Sequence, residues 1–63
     1  MTKDEYKAAR ERLGLTNVAL AQALGIYIRT AQRYEAGDRN IPESIARLLR
    51  MYVRHGIPKD YRA

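Results

Sequence analysis

Arg29, Gln32, Arg33 and Ala36 stand at i, i+3, i+4 and i+7, a spacing that gathers side chains on one face of a helix. The side chains on that face are suited to recognition rather than to bond-making. An Arg guanidinium gives two parallel hydrogen bonds to a guanine edge, and a Gln amide does the same for adenine. Ile28 borders the face, and its methyl groups suit the methyl of a thymine. The plain alternative is that Arg and Gln form the wet side of an amphipathic helix.

Residues suited to breaking bonds are scattered. His55 is the only histidine and Ser44 the only serine. His55 is expected near a helix C-terminus, where it meets the dipole. Ser44 falls in a first helical turn with no base expected beside it. The chain has no cysteine, hence no disulfide and no thiolate metal site. No acidic or His cluster has metal-ligand spacing, and no Gly-rich phosphate loop is present. We expect no enzyme, no cofactor and no metal.

The stretch from Leu15 to Gly37 must hold the Arg and Gln face in place. It reads as two short helices joined by a tight turn at Gly25-Ile26. Thr16 caps the first, predicted over Asn17 to Leu24, with Leu20, Ala21 and Leu24 as its buried stripe. Ala19 stands where a capping box would carry an acid. The second runs from Tyr27 or Ile28 to Ala36, with Ile26, Ala31 and Tyr34 as its inner side. Small apolar residues inside, a Gly in the turn and Arg and Gln outside describe a helix-turn-helix whose second helix can enter a major groove. The free N–H groups and dipole at the start of the Asn17 helix attract a phosphate, making Thr16 and Asn17 candidate contacts. Arg39 and Asn40 are candidates on the other side. Tyr27 reads equally as a phosphate donor or a packing residue. Val18 is read as a lone exposed apolar side chain.

Gly14, Gly25, Gly37 and Gly56 each follow a helix-like segment and mark four C-termini with left-handed caps. The first helix opens on the capping box Thr2-Lys3-Asp4-Glu5 and runs to Leu13, with Tyr6, Ala9 and Leu13 inward. The fourth has Pro42 in its first turn, Glu43 favouring its dipole, and an end at His55. Ile45, Leu48, Leu49, Tyr52 and Val53 are expected inward, and Arg47, Arg50 and Arg54 on a solvated opposite face. Ile57 fits the hydrophobic contact of a Schellman cap at Gly56. Arg10 follows Tyr6 by four residues and Glu35 follows Ala31 by four. Both charges therefore sit at the edge of an inward face, where pairing would offset the cost of burial.

The run from Ala9 to about Ile57 resembles the Cro and phage-repressor class of helix-turn-helix proteins, often called XRE-like. Arg10, Gly14, Leu15, Thr16, Asn17, Leu20, Ala21, Leu24, Gly25 and Ile26, then Tyr34, Glu35 and Gly37, carry the resemblance. The chain departs from it at Asn17, where the family usually has Gln, at Tyr27 for a capping Ser, and at Ala31 for Ile or Val. The resemblance implies a lambda-repressor-like DNA-binding fold, a salt bridge between Arg10 and Glu35, and the Arg29 face as the one that meets the groove. The family often splits its last helix in two; nothing in this chain breaks it before Gly56.

Composition fits the same reading. A net charge of +5 and a pI near 10.0 favour a polyanionic partner. Nine of the twelve basic residues are Arg, the side chain suited to bidentate recognition. Sixty-three residues make one domain, near the size at which a single core is marginal. No apolar run is long enough to span a membrane and no signal-peptide pattern is present, so the expected location is the cytoplasm of a bacterium, or of a phage's host.

We therefore expect an all-α domain over residues 1–57, of four helices or five if the last one splits, and a short C-terminal tail over 58–63. The expected function is sequence-specific binding of double-stranded DNA by a transcriptional regulator, a repressor first, reading the major groove with Ile28 to Ala36. The expected partner is a palindromic operator, bound by a homodimer that could form only on DNA. One alternative is the antitoxin of a toxin–antitoxin pair, with a toxin as second partner. Another is a protein-interaction module that kept the fold without DNA binding.

Overall fold

The computed structural model describes residues 1–58. Its elements are α1 (Lys3–Leu13), α2 (Asn17–Leu24), α3 (Ile28–Ala36) and α4 (Glu43–His55), and no strand occurs among the described residues. The expected tail lies, beyond Pro58, outside them.

Local chemistry sets most of the boundaries. At the start of α1 the Glu5 N–H donates to the Thr2 hydroxyl at 3.1 Å, and the Thr2 N–H donates to the Glu5 carboxylate at 2.8 Å. This reciprocal pair satisfies two N–H groups that the helix cannot. Thr16 supplies half of the same device to α2, accepting from the Ala19 N–H at 3.1 Å. The first three helices end alike. Gly25, at φ 72°, closes α2 in the left-handed region, and the Ile26 N–H reaches back to the Ala21 carbonyl, as in a Schellman motif. Leu15 to Arg10 and Asp38 to Arg33 repeat the bond behind α1 and α3.

The fourth helix differs at both ends. Pro42 is its cap rather than a first-turn residue: ψ is 150°, extended, and its carbonyl accepts from the Ala46 N–H. Gly56 has φ 85° but ψ 166°, a region open essentially to Gly alone. Its N–H bonds only the Tyr52 carbonyl, so no Schellman cap forms. The extended exit instead lays Ile57 against the core cluster.

Tyr6, Leu20 and Leu49 are the largest fully enclosed side chains. α1 and α2 each pack against both α3 and α4, so the core lies between the two pairs. Buried Ala31 and Ala46 carry little bulk, which permits close approach of α3 and α4 to their neighbours. Ala46 also corrects the expected inward face of α4. The enclosed stripe is Ala46, Leu49 and Tyr52; Ile45 and Leu48 are half-buried but pack against the core as expected, and Val53 is half-buried without joining that cluster. The Tyr52 hydroxyl donates to the Ala23 carbonyl at 3.0 Å, supplying a partner to one of the last carbonyls of α2. Tyr6 meets Tyr34 edge to face at 5.9 Å. Burial, more than any neighbouring charge, pushes the Tyr6 phenol up to about 12, so it stays neutral.

Candidate nucleic-acid interface

Helix α3 buries Ala31 and Tyr34 and leaves Ile28, Arg29, Gln32, Arg33 and Ala36 exposed. The face assembled from sequence spacing is thus a continuous outer surface. Tyr27 precedes it as the N-cap, contributes no side-chain cap bond, and is 85% exposed. At that exposure the ring lies outside the core. Val18 is exposed as well.

The tilt of α3 is fixed from its C-terminal turn. Glu35 Oε1 accepts from Arg10 Nε at 2.9 Å and lies 2.9 Å from Arg10 Nη2. Arg10 Nη1 donates to the Leu15 carbonyl at 2.9 Å. One guanidinium therefore binds the end of α1, the loop after it and the last turn of α3, with side-chain exposures of 19% for Arg10 and 18% for Glu35.

The second Glu35 oxygen is taken by the Asn17 amide, which donates to Oε2 at 2.6 Å. That placement changes the part given to Asn17. Its side chain is turned onto a carboxylate, so one of its two amide N–H donors is engaged there, while its backbone N–H stands at the helix start. The Asn17 hydrogen bond, ahead of the Arg10 guanidinium, holds the Glu35 carboxyl below its ordinary value against the opposing effect of burial. Sequence reasoning missed this contact because it joins residues 18 apart through the crossing of two helices, which periodicity does not report.

Thr16 is exposed. Its hydroxyl oxygen accepts the cap bond, which leaves its O–H available as a donor. The N–H groups of Asn17 and Val18, the first two residues of α2, have no intrahelical acceptor. Neither α2 nor α3 has an acidic residue in its first turn, so the positive helix ends are uncompensated.

Arg39 and Asn40 are exposed in the loop after α3 and line, with Thr2 and Lys3, a cleft of about 470 Å³. The Lys3 side chain crosses Gly37, where an added Cβ would come within 2.8 Å of Lys3 Cδ. Lys3 is a cation at the end of α3 that spacing did not single out; its only signal was its charge. Among the described residues no group of three His, Cys, Asp or Glu could hold a metal ion, and no helix is long and apolar enough to cross a membrane.

No curated protein and no solved structure matches this chain. A helix-turn-helix family model matches residues 7–51, from within α1 through the turn at Gly25 and most of α4. That is more than half of the sequence, and the chain belongs to the helix-turn-helix family, whose fold is in general that of DNA-binding regulators.

Proposed function

We propose that this domain is a sequence-specific transcriptional regulator of the Cro and phage-repressor kind, acting as a repressor by occupying its operator. The carrying observation is the outer face of α3, on which Ile28, Arg29, Gln32 and Arg33 are all exposed. Inserted in a major groove, Arg29 and Arg33 read guanine, Gln32 reads adenine and Ile28 meets a thymine methyl. Thr16 through its hydroxyl, Asn17 through its backbone N–H, and Tyr27, Arg39 and Asn40 through their side chains hold the phosphates on either side. The Arg10–Glu35–Asn17 cluster sets the angle of α3 against α2, and so ties base reading to phosphate clamping.

One short helix reads only a few base pairs. A second copy on a palindrome, with half-sites about one helical turn apart, doubles the contacts. The test is to select bound duplexes from a random pool and titrate the winner over a range of salt. Log K should fall by about 0.9 per phosphate neutralised for each unit of log salt, and Arg39→Ala should flatten that slope without changing the selected sequence. A flat salt dependence, or a pool that yields no preferred sequence, overturns the reading.

A further inference from the structure

A concave surface among the described residues shares no residue with the proposed DNA face. It is an open groove of about 1190 Å³ between α1 and α4, with Ala8, Met51 and Val53 among its apolar lining and Arg12, Arg47 and Arg54 among its cations. Met51 is half-exposed, one of the few large apolar side chains left in water. We propose that this groove docks an acidic amphipathic helix of a partner protein. Apolar residues of that helix would lie on Ala8, Met51 and Val53, and its Glu or Asp residues would meet the Arg rims.

Charge decides between occupants. A second copy would bring the same cations against themselves, which costs like-charge repulsion across the interface. Nucleic acid would find Arg47 and Arg50 already engaged by Glu43, at 3.6 Å and 3.1 Å, and Glu11 lining the wall. Arg12 and Arg54 have no carboxylate within salt-bridge distance among the described residues, so they are the cations an acidic helix would meet first. The groove lining also includes Ala8, Met51 and Val53, apolar side chains for which a phosphate backbone has no complement. Length agrees as well: a helix of about 14 residues is ~21 Å long, close to α4 itself.

The probe is a fluorescent peptide of about that length with a Leu stripe flanked by Glu, added to the full chain labelled for amide NMR, alone and with bound duplex. The docking reading expects saturable binding, with shifts confined to the groove around Ala8, Arg12, Met51 and Arg54 and retained when DNA is present. Arg12→Glu with Arg54→Glu should weaken the peptide by about tenfold or more, and Met51→Gln, which keeps the charge, by about fivefold. A scrambled peptide of the same composition should lose a similar factor. Equal binding of scrambled and striped peptides, or shifts on α3 instead of the groove, overturns the proposal. So does duplex DNA shifting the groove amides, or self-association of the chain that Met51→Gln abolishes. Met51→Gln, which alters no charge, should keep the wild-type thermal midpoint and DNA affinity. The double Glu variant should keep a folded amide spectrum although its acids oppose the dipoles at the ends of α1 and α4, which separates loss of docking from misfolding and from failure of the DNA reading.

Discussion

Helices α1 and α4 begin with carboxylates; α2 and α3 begin without any. Asp4 and Glu5 stand in the first turn of α1 and Glu43 in that of α4, whereas the first turns of α2 and α3 carry no acid. Each acid compensates the positive end of its own helix. The two ends left bare belong to the helix-turn-helix pair, one beside Thr16 and the other opening the Arg29 face. The same bundle thus compensates its helix starts internally on one pair and leaves them bare on the other. On the proposed reading, those two bare ends are where DNA phosphates would complete the compensation.

The largest effect should come from uncoupling the pairs. Arg10 and Glu35 are each mostly but not wholly buried, so Arg10→Met or Glu35→Leu alone should cost about 2–3 kcal/mol, between the values for exposed and buried pairs. The double replacement should cost less than either single one, because no lone charge remains. Urea melts decide it; additive small effects would mean that α1 does not hold α3. Acid sharpens the same test. The Glu35 carboxyl is held below its ordinary 4.5, so its stabilisation is present above the unfolded pKa and is lost as pH falls through the folded value. Asn17→Ala should shrink that acid loss, measured as the difference in melting midpoint between pH 7 and pH 3.

Next in size is the split between the two arginine faces. Arg29→Ala and Arg33→Ala should each cost ~1–3 kcal/mol of specific DNA binding and relax the preference at one base pair. Arg47→Ala, in the α1–α4 groove, should leave DNA affinity unchanged. Titrations against cognate and scrambled duplexes test both, and an Arg47 effect exceeding those of Arg29 and Arg33 together would reverse the assignment of faces.

The smallest effect goes to the helix starts themselves. Val18→Glu places an acid in the bare first turn of α2 at an exposed position. It should raise stability by about 0.3–1 kcal/mol through the dipole while weakening DNA binding, and the two changes together are the signature. Stabilisation with unchanged affinity would show that no phosphate approaches this helix end.

How much of this was legible follows from range. Thr2, Thr16, Gly14, Gly25 and Gly37 act within a few residues of themselves, so the first three helices could be bounded from sequence. Gly56 and Pro42 were misread in detail because the same residue types serve more than one terminal geometry. The exposure of Arg29, Gln32 and Arg33 followed from periodicity. The inward turn of Asn17, the enclosure of Ala46 and the groove between α1 and α4 did not, since each depends on how separate helices cross.

The chain has no tryptophan and no phenylalanine, so tyrosine dominates its near-ultraviolet absorption and emission. Among the described residues Tyr6, Tyr34 and Tyr52 are enclosed while Tyr27 is 85% exposed. The domain therefore carries an optical separation of folding from contact. In a Tyr61→Phe chain, whose tyrosines are these four alone, a small aqueous quencher should reach Tyr27 while sparing the three core rings, and bound DNA at the α3 start should shield it. Loss of that shielding without unmasking the core would register release of DNA by an intact domain, with no label attached.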